Sequence, residues 1–124
     1  MNILSPNPHE VLTTWQRERI TGFVALFDCA YHCPFCSCAN EVNLHLNMIG
    51  VAPQPILAKN IIEAFDSVKC EAAAKDAMHY HLFCERCARP ARIVYNDFEV
   101  AMGSWVFVPV QVLVADLPMP KHSG

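Results

Sequence analysis

Charge is scarce in this sequence: Asp, Glu, Lys and Arg together make up 17% of its 124 residues. A chain so thinly charged and so apolar has no compositional reason to stay disordered. Basic residues are fewer than acidic ones, nine against twelve, and that shortage argues against a generic nucleic-acid binder, whose affinity rests on many Lys and Arg contacts to phosphates. No apolar run approaches the 18 or more residues of a membrane span, and Met1 to Glu10 lacks the basic flank and apolar core of a secretory signal. These absences set the expectation of a cytoplasmic protein without membrane contact. An even cysteine count is also missing. Seven cysteines, with two close pairs among them, make a poor disulfide framework and a good metal framework.

What the chain does have is apolar bulk, 53% of its residues, in a length suited to one domain with a hydrophobic core of its own. It also has two Cys-x-x-Cys turns, Cys33-Pro34-Phe35-Cys36 and Cys84-Glu85-Arg86-Cys87. Each turn brings two sulfurs to one side of the backbone, and zinc takes four soft ligands about 2.3 Å away. Cys33, Cys36, Cys84 and Cys87 are therefore the expected ligands of one Zn2+. Four thiolates and the ion would move the formal charge from -3 to roughly -5. Such a set is closed, with no position for water or substrate, so the expected metal is structural and the expected protein non-enzymatic.

Along the chain, residues 1–19 read as a lead-in with a short helix whose face is Val11, Leu12 and Trp15. Residues 20–116 form the expected zinc-binding domain, and 117–124, with Pro118 and Pro120, a loose tail. Phe23 to Phe27 is a strand entering the first turn, and Val42, Leu44 and Leu46 alternate as a strand leaving it. Asn47 to Pro55 reads as a loop. Residues 56–69 repeat Ile56, Leu57, Ile61, Phe65 and Val68 at helical spacing and form the main helix, and the alanines from Ala72 to Ala77 favour more helix. His79 to Phe83 delivers the second turn. Strands at 92–95 and 98–101, with a turn at Asn96-Asp97, and a long strand at 105–114 beyond Gly103 follow, Pro109 marking an edge or a bulge. The expectation is an α+β fold: an antiparallel sheet with one main helix, pinned by the two knuckles.

The paired knuckles resemble zinc-ribbon or rubredoxin-like metal sites over Phe27 to Leu46 and Tyr80 to Ile93, with a long insertion, Asn47 to His79, between them. That resemblance implies metal binding and is silent on activity; ribbon proteins bind nucleic acids, bind proteins, or stabilise larger domains. Other assortments of the same residues exist. Cys29, Cys33 and Cys36 form a C-x3-C-x2-C run similar to the iron–sulfur signature of radical S-adenosylmethionine enzymes, but it leaves Cys84 and Cys87 without a role. Cys33-Pro34-Phe35-Cys36 alone resembles a glutaredoxin-type dithiol, which needs a helix where this sequence alternates as a strand. Cys29, Cys38, His32 and His81 are possible substitute ligands, His79 is the remaining histidine of that stretch, and Cys70 reads as a small buried residue.

Partners are addressed by two features. Arg86, Arg89 and Arg92 recur at intervals of three and offer either a solvated rim to the thiolate cluster or an anion contact, the basis of an alternative nucleic-acid-associated role. The run 105–114 places Val106, Val108, Val110, Val112 and Val114 on one face and Trp105, Phe107, Pro109, Gln111 and Leu113 on the other. One face can meet the helix at 56–69; the other is covered by the N-terminal helical segment in a monomer or else is the expected protein-binding surface, most simply in a homodimer.

Overall fold

The computed structural model describes residues 1–13, 19–21, 24–45, 55–101 and 104–117, with the backbone alone for 19–21, 24–28, 43–45, 97–101 and 104–106. Trp15, the Asn47–Pro55 loop except Pro55, Gly103 and the tail from Pro118 lie outside those residues. In chain order the elements are β1 (Ile3–Leu4), α1 (Pro8–Val11), β2 (Leu12–Thr13), β3 (Arg19–Thr21), β4 (Val24–His32), β5 (Ala39–His45), α2 (Lys59–Asp66), β6 (Met78–Phe83), β7 (Pro90–Ala101) and β8 (Ser104–Ala115). The α+β class stands, but the strands divide into two antiparallel sheets. One runs β1-β8-β7-β6; in the other, β4 pairs with β2 and β3 and also with β5.

Alternation decides which face of the first sheet meets which layer. On one side Leu82 of β6, Ala91, Ile93 and Tyr95 of β7, and Val112 and Val114 of β8 join Cys29 and Tyr31 of β4 and Val42 of β5 in the core between the sheets. On the other, Leu113 and Ala115 of β8 meet Leu57, Ile61 and Phe65 at and before α2. The order of layers is therefore helix, sheet, sheet.

β8 does not keep one face throughout. Val94 pairs with Gln111 but Tyr95 pairs with Pro109, so Val110 is an extra residue and the alternation reverses there. Pro109 marks a bulge, as its missing N–H suggests. Phe107 consequently shares the inter-sheet core with Val112 and Val114, and its ring meets Tyr95 edge-on, with centroids 5.8 Å apart. The single valine face expected for 106–114 is corrected by this one inserted residue.

Several local expectations yield to tertiary contacts. The N-terminal segment is stitched into the fold: Ile3 and Leu4 pair with Ala115 and Val114, and Val11 is buried in the core. Its helix stops at Val11 because Leu12 and Thr13 pair with Tyr31 and Ala30 of β4. The main helix starts only at Lys59, leaving Ile56 90% exposed instead of on the apolar stripe. The alanine-rich stretch forms turns and no second helix. Buried Asn96 accounts for that, donating to the Ala72 carbonyl at 2.9 Å and accepting from the Ala74 N–H at 2.8 Å. The same asparagine sits inside the continuous strand β7, so the turn expected at Asn96-Asp97 does not form.

Between α2 and the first sheet lies a polar cluster. Arg92, only 4% exposed, donates from Nη1 to Asp66 at 2.6 Å and from Nε to His81 Nε2 at 2.9 Å, and stacks over Phe65. Accepting that bond requires an unprotonated Nε2. Burial first, then the charge of Arg92 and His79, bring the His81 pKa down from 6.5 to about 4, against the opposing pull of Asp66. A folded value below the unfolded one means that the unfolded chain takes up the proton first. Stability present above pH 6.5 is therefore lost as pH falls through that value towards about 4. His81→Gln, which keeps an acceptor, is expected to lose less stability than the wild type across that window in denaturant titrations. Parallel losses would show that His81 does not couple to acid unfolding.

Candidate metal centre

β4 and β5 form one hairpin and β6 and β7 another, and the turn of each holds one cysteine pair. The two turns are built alike. In the first, the Ser37 N–H donates to the Cys33 carbonyl at 2.8 Å and the Cys33 N–H to the Cys38 carbonyl at 3.0 Å; in the second, Ala88 donates to Cys84 at 2.9 Å and Cys84 to Arg89 at 3.0 Å. Ser37 and Ala88 occupy the matching left-handed position, with φ of 62° and 60°. Neither is glycine, so each carries a backbone cost of about 1 kcal/mol. That cost accompanies a turn whose N–H groups face sulfur: those of Phe35 and Cys36 reach Cys33, and those of Arg86 and Cys87 reach Cys84.

The hairpins belong to different sheets, and packing the sheets face to face brings the turns together. All four sulfurs of Cys33, Cys36, Cys84 and Cys87 lie within 4.8 Å of one another. The cross-turn approaches are 3.6 Å for Cys33 with Cys87 and 3.4 Å for Cys36 with Cys84. Both are far longer than a disulfide bond of about 2.05 Å. They match the edge, about 3.8 Å, of a sulfur tetrahedron around an ion at about 2.3 Å. The donor set fits a thiophilic metal.

Four thiols this close cannot all ionise without a cation, and their environments separate them. Burial pushes Cys33 up to about 12, against the N–H groups of Phe35 and Cys36. Burial would raise Cys84 also, but the N–H groups of Cys87 and Arg86, the Asn40 amide and the Cys36 thiol bring it down to about 6. Cys87 is lowered too: burial opposes this, and the N–H and side chain of Arg89 outweigh it. An entering divalent ion thus meets two sulfurs already disposed to be thiolates, and displaces protons from the others.

Of three further residues around the sulfurs, Asn40 and Tyr31 were not singled out from sequence, and Arg89 was named there as one of the arginine series. Asn40, 2% exposed, donates from Nδ2 to the Cys38 carbonyl at 3.1 Å and to the Cys84 sulfur at 3.6 Å, while its Oδ1 accepts from the Glu85 N–H at 2.8 Å. It ties one turn to the other. Arg89 stacks on Phe35 at 4.3 Å and donates from Nε to the Asp116 carbonyl at 2.9 Å, with Cys87 as a further partner. Tyr31 is fully buried, and its hydroxyl has no hydrogen-bond partner among the described residues. Burial first, then the charge of Cys33 and after it those of Cys84 and Cys87, oppose ionisation of that hydroxyl. An unsatisfied buried hydroxyl costs about 1–3 kcal/mol.

The proposed substitute ligands have other places. Cys29 is buried in the core, His32 Nε2 meets Thr13 Oγ1 at 2.8 Å, and His81 faces α2 with Arg92. Cys70 directs its thiol at the Val110 carbonyl. Cys38 packs beside the cluster, near Cys84 and Cys36, but is outside the four-sulfur group. Nor do the three arginines form one surface: Arg86 is exposed, Arg89 is folded over the turns and Arg92 lies under α2.

Fold and site together define an α+β domain whose two hairpins present a tetracysteine cluster arranged to hold a metal ion. No protein-family model, curated protein or solved structure matches the chain. Among the described residues, no helix is long and apolar enough to cross a membrane.

Proposed function

We propose that this protein is a non-enzymatic zinc domain that mediates protein–protein interaction, its Zn2+ held by Cys33, Cys36, Cys84 and Cys87. The observation that carries the reading is the closure of four sulfurs within 4.8 Å from two like turns on different sheets. Zinc suits an all-thiolate tetrahedron, and a complete protein ligand set leaves the ion no vacant position for chemistry. The role of the ion is then to fasten one sheet to the other at a single end of the domain.

The interaction half of the proposal draws support from the margin of β8. Among the described residues β1 pairs with it at Val114 and Ala115, and Val108 and Leu4 stand 39% and 42% exposed. The nucleic-acid alternative loses its motive with the dispersal of Arg86, Arg89 and Arg92. Elemental analysis of protein purified under reductant is expected to find one zinc per chain. Protein without stoichiometric transition metal whose dithiols are active in disulfide exchange would overturn the reading in favour of thiol–disulfide chemistry. For the interaction, sedimentation is expected to show self-association in the micromolar range or a mixed complex with a binding protein; a monomer with no protein partner would defeat that half alone.

A further inference from the structure

We infer that Tyr31 is a positioning residue of the metal centre, its hydroxyl donating a hydrogen bond to the Cys33 sulfur when that sulfur is a metal-bound thiolate. The inference rests on the metal reading above and extends it to a residue that is not a ligand. Tyr31 is the penultimate residue of β4, two before Cys33, so the period of the strand puts Cys29, Tyr31 and Cys33 on one face, towards the other sheet. Its ring is fully buried among apolar side chains, and its hydroxyl is the one buried side-chain oxygen or nitrogen among the described residues left without a hydrogen-bond partner. Protein interiors seldom leave such a group orphaned, and an exception calls for an explanation in the form of a missing ion, water or partner state.

The surroundings supply that partner. Cys33 follows Tyr31 on the same face of the strand and packs in the same core, and after burial itself its sulfur is the strongest electrostatic influence on the hydroxyl, ahead of Cys84 and Cys87. A neutral thiol is a weak acceptor, and the Cys33 thiol is itself shared with Cys87 at 3.6 Å. A thiolate is a charged acceptor, for which an O–H donor is considerably better matched. Metal binding converts the first into the second. The hydroxyl is thus poorly served in the metal-free domain and satisfied in the loaded one, and its bond would fix the Cys33 rotamer and draw charge from the sulfur, as donors around metal ligands do. Asn40 does the same for Cys84, so each turn has its first cysteine served by a buried side chain from the first hairpin.

The test compares wild type, Tyr31→Phe and Tyr95→Phe, the last a control on another fully buried tyrosine. Zinc affinity is measured by competition with a chromophoric chelator, and Co2+ serves as the spectroscopic probe. Tyr31→Phe is expected to fold, to retain one metal per chain, to bind zinc about tenfold more weakly, and to shift the sulfur-to-cobalt charge-transfer band to lower energy, because the thiolate is relieved of a donor. Tyr95→Phe is expected to leave band and affinity at their wild-type values. Unchanged affinity and band in Tyr31→Phe would overturn the inference, as would its failure to fold, since a hydroxyl without a partner in the metal-free fold has no structural work to lose. If wild type itself takes up neither zinc nor cobalt, the metal reading fails, and with it the basis of this one.

Discussion

Cys84→Ala is expected to abolish stoichiometric metal binding and lower the stability of the domain by roughly 4 kcal/mol or more, a loss of the size associated with a structural metal. Cys84 is fully buried, its sulfur lies 3.4 Å from Cys36, and it receives the Asn40 amide and the N–H groups of Arg86 and Cys87. Alanine leaves three thiols around an incomplete tetrahedron, and leaves those donors facing a cavity. Cys70→Ala removes a sulfur as well, but one that is only half-buried and makes a weak contact of 3.8 Å with the Val110 carbonyl. It is expected to retain one metal per chain and to cost on the order of 1 kcal/mol. Metal analysis and thermal melts of the two variants, with wild type treated with a chelator, check this. Loss of the metal should cost less than it does in a zinc-finger peptide, because the inter-sheet core has no need of the ion to exist. Equal metal content and equal melting in the Cys84 and Cys70 variants would remove the four-cysteine site from the account.

The four-cysteine cluster was legible in sequence for a local reason. A Cys-x-x-Cys turn is a self-contained geometric statement, and two of them in one chain need only be brought face to face. What surrounds the sulfurs was not legible. Asn40 sits at a strand position that looks like any polar residue of an alternating run, and its partners, Cys84 and Glu85, are more than forty residues away. The left-handed positions after each turn would have been visible as glycines, but Ser37 and Ala88 occupy them. Of the fold, the strands around the knuckles followed from alternation, whereas the place of β1 beside β8, Ile3 with Ala115 and Leu4 with Val114, is a long-range choice that no local pattern encodes. The alanine stretch misled because propensity is a weak preference, and one buried asparagine that bonds two backbone groups overrides it. Arg92 misled because a regular spacing of arginines says nothing about which face of a strand each one occupies.

Phe107→Glu is expected to unfold the domain and not merely to separate subunits. Alternation across an unbroken β8 would have put Phe107 beside Leu113, on the face opposite Val112. The bulge at Val110 puts it with Val112 and Val114 instead, 3% exposed, against the edge of Tyr95. Removing a buried aromatic ring costs about 3–5 kcal/mol, and a carboxylate in its place adds the expense of a charge without a partner in an apolar core. Since a small domain has about 5–15 kcal/mol in total, the sum is enough to populate the unfolded chain. Phe107→Leu, which keeps an apolar side chain, should remain folded with a lowered melting temperature and an unchanged sedimentation coefficient. The informative contrast is with Val108, which is 39% exposed: Val108→Glu should leave the fold intact, and if β8 contributes to an interface this variant is the one that weakens association. A Phe107→Glu protein that stays folded while a wild-type dimer falls apart would reverse the assignment and place Phe107 between subunits. Neither its partner across β7 nor its burial would then describe the protein in solution.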